Sequence, residues 1–129
     1  MLPSQAASIA SATLAKEKYA FAFTINFFPW LSDVCQLLNI TYISLIVDSP
    51  VLELYSNAIS NSVNKIFLFD KMLFNEFKQY NKEHIFHIPL AANTSRTDEL
   101  ISHASDSDKK KYTSDISFIG STYQEKCPF

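Results

Sequence analysis

The sequence predicts an α/β fold in which a Rossmann-like parallel sheet is flanked by helices. Several short runs are apolar throughout, as strands covered on both faces of a parallel sheet are. Segments with the helical spacing of apolar residues separate these runs. Hydrophobic residues make up 47% of the 129 positions and aromatic residues 14%. The chain therefore has enough apolar side chains for a substantial core.

The first half of the chain supplies two predicted strands. Residues 5–18 are rich in small side chains and predict a short, weakly amphipathic helix. The runs 20–26 and 41–47 predict strands that are buried on both faces. Pro29 suits the first turn of the helix between them, and Asn39 can end that helix.

The same alternation continues in the next segment. A short helical stretch at 51–55 and an Asn/Ser-rich turn precede a third predicted strand, 65–69. A helix over 72–80 and a fourth strand over 85–88 follow. Strands that alternate with helices in this way are typical of parallel βαβ units. We therefore expect the four strands to form one parallel sheet.

The composition changes after the fourth predicted strand. Residues 93–114 are polar and charged, with one modest helical piece near 99–103, and predict a connector. The apolar run 115–119 then begins another strand. We interpret residues 1–92 as a Rossmann-like domain without its opening strand, and residues 115–129 as the start of a truncated second domain.

Charge and residue counts exclude several classes of function. The net charge of −2 gives no general attraction to polyanions, so we expect no nucleic acid partner. The single glycine, Gly120, excludes the phosphate-binding motifs that need several glycines. The sequence shows neither an apolar run of about 18 residues nor a secretory signal. We therefore expect no integral membrane segment and a cytoplasmic location.

The residues that most often bind metals do not form a metal-binding pattern. Cys35 and Cys127 match no metal or redox spacing, and we expect both to be free thiols. His84 and His87 would point to opposite faces of a strand. The D-x-D motif at 106–108 precedes three lysines in the polar connector, which favours a solvated charge cluster. The sequence predicts no metal site.

Polar residues follow the predicted strands. In open parallel sheets, ligands bind beyond the carboxyl ends of the strands, so these side chains are candidates for a polar cleft. The candidates are Asn26, Asp48, Ser49, Asp70, Lys71 and Asn93. We expect Asp48 to face the cleft, because Ser49 precedes Pro50 and is restricted to extended backbone. Alternatively, Ser49 and Asp70 only cap the helices that follow them.

Four sequence strings indicate a protein family more specifically than the positions of single polar residues do. They are TINFFPWLSDVCQLLNITYISLIVDSPVLELY, KIFLFDK, IFHIPLAAN and SDISFIGSTYQEKCPF. Together they cover most of residues 19–129 and resemble the bacterial domain of unknown function that precedes the CgeB-like, spore-maturation-type glycosyltransferase domain. The resemblance implies a GT-B architecture, in which two Rossmann-like domains face each other across a cleft. It also implies that the first domain mainly holds the acceptor and the second mainly the nucleotide-sugar.

The resemblance implies a function as well. The chain would be part of a glycosyltransferase that moves a sugar from a nucleotide-diphosphate donor to an acceptor hydroxyl, on a glycan or another molecule, without a cofactor. The six cleft candidates would line the acceptor side, and Gly120 and Ser121 would contact the nucleotide-sugar. A C-terminal transferase domain would be the missing partner, so the chain alone would be inactive. The catalytic residues remain unassigned.

Two other interpretations are open. A regulatory or binding module of flavodoxin or receiver type would use Asp48 as a phosphate acceptor. Such a module needs an acidic pair after its first strand, where this sequence has Asn26-Phe27-Phe28. The third interpretation is a degenerate transferase domain that is retained for protein contacts.

Overall fold

The computed structural model describes residues 3–117 and residue 120. The chain divides into two compact units, Met1–Ala91 and Ala92–Phe129. The first unit contains the sheet and is the larger of the two. The second unit contains the segment that the sequence predicts to be a connector.

The described residues of the first unit alternate between helices and strands. Their order is α1 (Pro3–Leu14), β1 (Phe21–Ile25), α2 (Pro29–Leu38), β2 (Thr41–Ile46), β3 (Asn64–Leu68), α3 (Lys71–Phe77) and β4 (Ile85–His87). Two short 3₁₀ helices, Leu52–Tyr55 and Asn57–Ser60, lie between β2 and β3. The strands form one parallel sheet in the order β1-β2-β3-β4. The predicted α/β fold and its parallel sheet are thus confirmed.

The helix ends follow from local chemistry. Pro29 is the first residue of α2, where its missing N–H costs nothing. Asn39 ends α2 in the left-handed conformation, with φ of 53°, and its N–H donates to the last turn. Asp70 begins α3, because its carboxylate accepts hydrogen bonds from the backbone N–H groups of Met72 and Leu73.

One face of the sheet carries the core. Tyr42, Ser44 and Ile46 alternate along β2 toward this face and are fully buried. The helices α2 and α3 add Leu31, Cys35 and Phe77 to the same cluster, and α1 packs against it through Ala10 and Leu14. Right-handed crossovers between consecutive neighbouring strands place α2 and α3 on one side of the sheet, and α1 packs against the same core. Cys35 is a free thiol, and burial raises its pKa.

The opposite face of the sheet is apolar but has none of these helices on it. We call it the open face, and its apolar members are Phe21, Phe23, Ile25, Ile43, Leu45, Phe67 and Phe86. The prediction that β1 is buried on both faces is wrong, because Phe21, Phe23 and Ile25 are 53%, 53% and 49% exposed. A continuous apolar run shows that a strand can be covered on both faces, but does not show where the helices lie.

The second unit contains more helix than the sequence predicts. Its helices are α4 (Thr94–His103) and α5 (Asp106–Tyr112), where the prediction has a single piece near 99–103. The side chains of Asn93 and Ser105 cap them by accepting from the N–H groups of Arg96 and Asp108. Neither helix has a buried residue.

The predicted fifth strand lies partly outside the described residues. Asp115, Ile116 and Ser117 are exposed and belong to no strand, whereas Phe118 and Ile119 are outside the described residues. Ser121 and Cys127, named above as a nucleotide-sugar contact and as a free thiol, also lie outside them. The interpretation of residues 115–129 as the start of a second domain stays a prediction.

Candidate functional site

The carboxyl ends of β1 and β2 are joined through the side chain of Asn26. Asn26 follows β1 in the left-handed conformation, with φ of 62°, and its N–H donates to the carbonyl of Leu45 at 2.8 Å. Its side-chain carbonyl accepts from the N–H of Val47 at 3.2 Å. Its amide group donates to the carboxylate of Asp48. Asn26 thereby fixes the side chain of Asp48 relative to β1.

A partly buried chain of hydroxyl groups supports this conformation of Asn26. Tyr42 Oη accepts from the N–H of Phe28 at 3.0 Å, and Tyr42 and Thr24 share a hydrogen bond of 2.7 Å. Thr24 Oγ1 donates to the backbone carbonyl of Asn26 at 2.7 Å. Because Thr24 uses its proton there, Tyr42 is the donor to Thr24. Burial raises the pKa of Tyr42, which keeps the phenol protonated.

Ser49 and Asp70 join the ends of β2 and β3. Ser49 Oγ donates to Asp70 Oδ2 at 3.3 Å. The other carboxylate oxygen, Oδ1, accepts from the N–H groups of Met72 at 2.7 Å and of Leu73 at 3.4 Å. The capping role considered for Asp70 is therefore confirmed. Ser49 caps no helix, since the N-cap residue of the 3₁₀ helix after it is Val51, which makes no side-chain cap.

These two links form one continuous polar edge, because Asp48 and Ser49 are adjacent in sequence. We define the polar edge as Asn26, Asp48, Ser49 and Asp70. Asp48 and Ser49 are exposed, whereas Asn26 and Asp70 are half-buried. The structure thus brings together four of the six cleft candidates across three neighbouring strands.

The other site candidates have different surroundings. Lys71 is the first residue of α3 and is exposed. Asn93 belongs to the second unit, where its side chain caps α4 by accepting from the N–H of Arg96 at 3.0 Å. Gly120 is exposed and lies in no helix or strand.

The chemistry of the polar edge is that of a hydrogen-bond acceptor. The carboxylate of Asp48 offers oxygen atoms to hydroxyl and amide donors, and the negative charge of Asp48 and Asp70 disfavours a phosphate group. Across residues 3–117 and 120, no group of three or more His, Cys, Asp and Glu side chains lies close enough together to hold a metal ion. The edge therefore offers carboxylate oxygen atoms to a ligand that carries hydrogen-bond donors.

A second group of polar side chains lies at the amino end of β3. We call it the buried polar cluster, and its members are Ser32, Asn61, Asn64 and Asn81. The Asn64 amide donates to the carbonyls of Ala58 and Ile59, at 2.8 and 3.2 Å. Ser32 Oγ is 2.7 Å from Asn64 Oδ1 and accepts from Asn61 at 3.0 Å. These hydrogen bonds hold the 3₁₀ helix Asn57–Ser60 against the sheet. They leave few donor or acceptor atoms of the cluster available to a ligand.

Sequence reasoning missed the supporting residues Thr24 and Tyr42. They lie inside strands, whereas the search for site residues follows strand ends. The signal available was their polarity within otherwise apolar runs, because a buried hydroxyl group needs a hydrogen-bond partner.

Comparisons with known proteins identify no relative. No family model, no curated protein and no solved structure matches this chain. No helix in the described part of the chain has the length and hydropathy needed to cross a membrane.

Proposed function

We propose that this chain provides the acceptor-side domain of a glycosyltransferase, which moves a sugar from a nucleotide-diphosphate donor to an acceptor hydroxyl. The observation that supports this proposal is the polar edge at the carboxyl ends of β1, β2 and β3. Ligands of open parallel sheets bind at this edge. The four strings that resemble the CgeB-like family include Asn26, Asp48, Ser49 and Asp70.

Asp48 is the residue best suited to contact the acceptor. Its carboxylate is exposed, and one of its oxygens is held by Asn26. An acceptor hydroxyl donates a hydrogen bond to a carboxylate, and a fixed carboxylate loses less conformational entropy on binding than a mobile one. The carboxylate of Asp70 is already occupied by the α3 N–H groups and by Ser49. Asp48 therefore positions the acceptor, and Asn26 positions Asp48.

The donor would be bound elsewhere. The polar edge carries two carboxylates, which disfavour a nucleotide diphosphate. In the proposed enzyme, a C-terminal transferase domain beginning near Gly120 and Ser121 binds the nucleotide-sugar. Stabilisation of the leaving diphosphate, which is a large part of the catalysis, belongs to that domain.

The flavodoxin or receiver alternative gains no support from the end of β1. Asp48 is hydrogen-bonded there to Asn26, where a receiver has acidic side chains.

The proposal is tested by binding of neutral saccharides to the whole chain. We expect a panel of methyl glycosides at millimolar concentration to shift the amide NMR signals of Asn26, Asp48 and Ser49. Asp48→Asn should weaken this binding at least about tenfold, because the amide of Asn is a poorer acceptor than a carboxylate. In an enzyme that contains this chain, the same substitution should lower sugar transfer at least about tenfold.

Glu83→Gln is the matched control, because Glu83 is also an exposed carboxylate of the first unit but lies before β4, away from the carboxyl ends of the strands. It should leave saccharide binding unchanged. Equal weakening by both substitutions, or signal shifts confined to other surfaces, would contradict the proposal. Covalent labelling of Asp48 by acetyl phosphate would instead support the receiver alternative.

A further inference from the structure

A small cavity lies between the two 3₁₀ helices and the end of α3. Its volume is about 110 Å³. Ordinary small-molecule sites measure roughly 300–1,000 Å³, so this one fits a group of only a few heavy atoms. Leu54, Ile59 and Phe77 line it and are buried, whereas Tyr55 and Tyr80 line it and are 62% and 53% exposed. We call it the aromatic cavity, and it has a buried apolar floor with two tyrosines at its entrance.

Three aromatic rings come together at the aromatic cavity. The ring centres of Tyr55 and Phe77 are 4.9 Å apart, at an interplanar angle of 72°, and those of Phe77 and Tyr80 are 6.1 Å apart. The N–H of Tyr80 donates to the carbonyl of Phe77 at 3.0 Å, and this turn at the end of α3 brings the two rings together. Tyr55 is contributed by the 3₁₀ helix Leu52–Tyr55. Phe77 thus has a tyrosine ring on each of two sides.

Glu76 adds a negative charge beside these rings. The hydroxyl of Tyr55 donates to Glu76 Oε1 at 2.7 Å, and this hydrogen bond raises the pKa of Tyr55, so the phenol stays protonated. Donation to a carboxylate polarises the phenol toward a more negative ring. The residues that line the cavity are all uncharged, and the ammonium group of Lys78 lies over a different ring, 5.0 Å from the centre of Phe74. The surroundings of the aromatic cavity therefore favour a cation.

We propose that the aromatic cavity binds a quaternary ammonium group, carried by a small molecule or by a trimethylated lysine side chain. The faces of aromatic rings attract cations, and proteins recognise choline and methyl-lysine with groups of such rings. A primary ammonium group needs acceptors for its N–H groups, which the side chains of Leu54, Ile59 and Phe77 do not supply. A quaternary ammonium group has no N–H group to leave unpaired.

The aromatic cavity is separate from the polar edge. Asp70 of the polar edge begins α3, whereas Phe77 and Tyr80 lie at the other end of that helix. This proposal therefore does not depend on the proposed function.

NMR titration of the whole chain with choline tests the proposal. We expect the ring signals of Tyr55, Phe77 and Tyr80 to shift with a dissociation constant on the order of 1 mM. NOEs should join the choline methyl protons to both tyrosine rings. The uncharged carbon isostere of choline, in which a tert-butyl group replaces the trimethylammonium group, tests the charge, and ethanolamine tests the methyl groups. Both should bind at least about tenfold more weakly than choline.

A second titration distinguishes the two sources of the group. A short peptide that contains trimethylated lysine should bind more tightly than choline if the ligand is a protein segment, because its flanking residues add contacts. Equal or weaker binding of the peptide would assign the aromatic cavity to small molecules. The same peptide with unmodified lysine should not shift the three rings.

Substitutions test which side chains bind choline. Tyr55→Leu and Tyr80→Leu should each weaken binding at least about fivefold, because leucine keeps an apolar surface but removes the ring face. Both tyrosines are more than half exposed, so the fold should be retained, which circular dichroism checks. Glu76→Gln should weaken binding about threefold at low ionic strength and by less at high ionic strength, because salt screens an exposed charge.

Tyr19→Leu and Glu17→Gln are the matched controls. Both residues are exposed and lie between α1 and β1, and β1 is two strands away from β3 in the sheet. These substitutions should leave choline binding unchanged. The proposal would be overturned by binding of the carbon isostere or of ethanolamine as tight as that of choline, or by choline binding that is insensitive to both leucine variants. The absence of any shift up to about 50 mM choline would also overturn it.

Discussion

The polar edge lies at the carboxyl ends of β1, β2 and β3, the buried polar cluster lies at the amino end of β3, and the two are built from similar residues. Both contain asparagine and serine side chains that bridge neighbouring segments of the chain. In the buried polar cluster, Ser32 and Asn64 are fully buried and bond to backbone carbonyls and to each other. In the polar edge, Asp48 and Ser49 are exposed, and the charged groups are carboxylates.

The difference shows that residue type alone does not separate a structural cluster from a candidate binding site. A buried amide whose hydrogen bonds all go to the protein has no capacity left for a ligand, and its loss is a loss of stability. An exposed carboxylate with unused acceptor positions contributes little to stability but can bind a ligand. The free energy of unfolding should therefore fall more on substitution in the buried polar cluster than on substitution of Asp48.

The largest loss is expected for Asn64→Ala in the buried polar cluster. The substitution removes one of the donors to each of the carbonyls of Ala58 and Ile59 and one of the partners of Ser32, and the loss of these three hydrogen bonds should cost about 3 kcal/mol. Urea unfolding followed by circular dichroism measures this quantity. Asn57→Ala, at an exposed position in the 3₁₀ segment, should change stability by less than about 0.5 kcal/mol. A loss below about 1 kcal/mol for Asn64→Ala would show that the cluster is not structural.

An intermediate loss is expected for Tyr42→Phe, which keeps the ring but removes the hydroxyl that bonds Thr24 and Phe28. It should cost about 1–2 kcal/mol in the same measurement. Because burial raises the pKa of Tyr42, its contribution is present below the ordinary pKa of 10.0 and is lost as pH rises above it. The wild type should therefore lose more stability than Tyr42→Phe between pH 9 and about 11.

Tyr19→Phe is the control for this experiment. Tyr19 is partly exposed, at 38%, and its substitution should change neither the stability nor its alkaline dependence. The same alkaline loss in the wild type and in Tyr42→Phe would assign the transition to other groups.

The smallest losses are expected on the polar edge, and there the two aspartates should differ. Asp70→Ala removes the cap of α3 and should cost about 1 kcal/mol, whereas Asp70→Asn should recover most of it. Asp48→Ala should cost no more than about 0.5 kcal/mol, because Asp48 is exposed and caps no helix. If Asp48→Ala were as destabilising as Asp70→Ala, Asp48 would be a structural residue. The polar edge would then not differ from the buried polar cluster.

Much of the fold could be predicted from the sequence, because apolar runs and helix signals are local. Residues 41–47 are a predicted strand, and the structure has Thr41–Ile46. Pro29 and Asn39 mark the ends of α2 as expected. The exposure of β1 could not be predicted, since it depends on the order of the strands and on the side to which each crossover returns.

The candidate site was predictable to a similar extent. The strand-end rule finds Asn26, Asp48, Ser49 and Asp70, because parallel strands end at the same edge. It does not show that one carboxylate oxygen of Asp70 caps α3. Nor does it find Thr24 and Tyr42, because their role comes from contacts between strands that are 18 positions apart in sequence.

The consecutive strand order has a consequence for how the chain can fold. Phe21 pairs with Thr41, Tyr42 with Asn64, and Ile66 with Ile85, so the residues that pair are 19 to 22 positions apart. These separations cost less loop-closure entropy than pairing between strands that are more distant in sequence. During synthesis, β1 and β2 can pair before β4 has been translated, and each later strand adds to an existing edge. The strands can therefore join the sheet in the order in which they are translated.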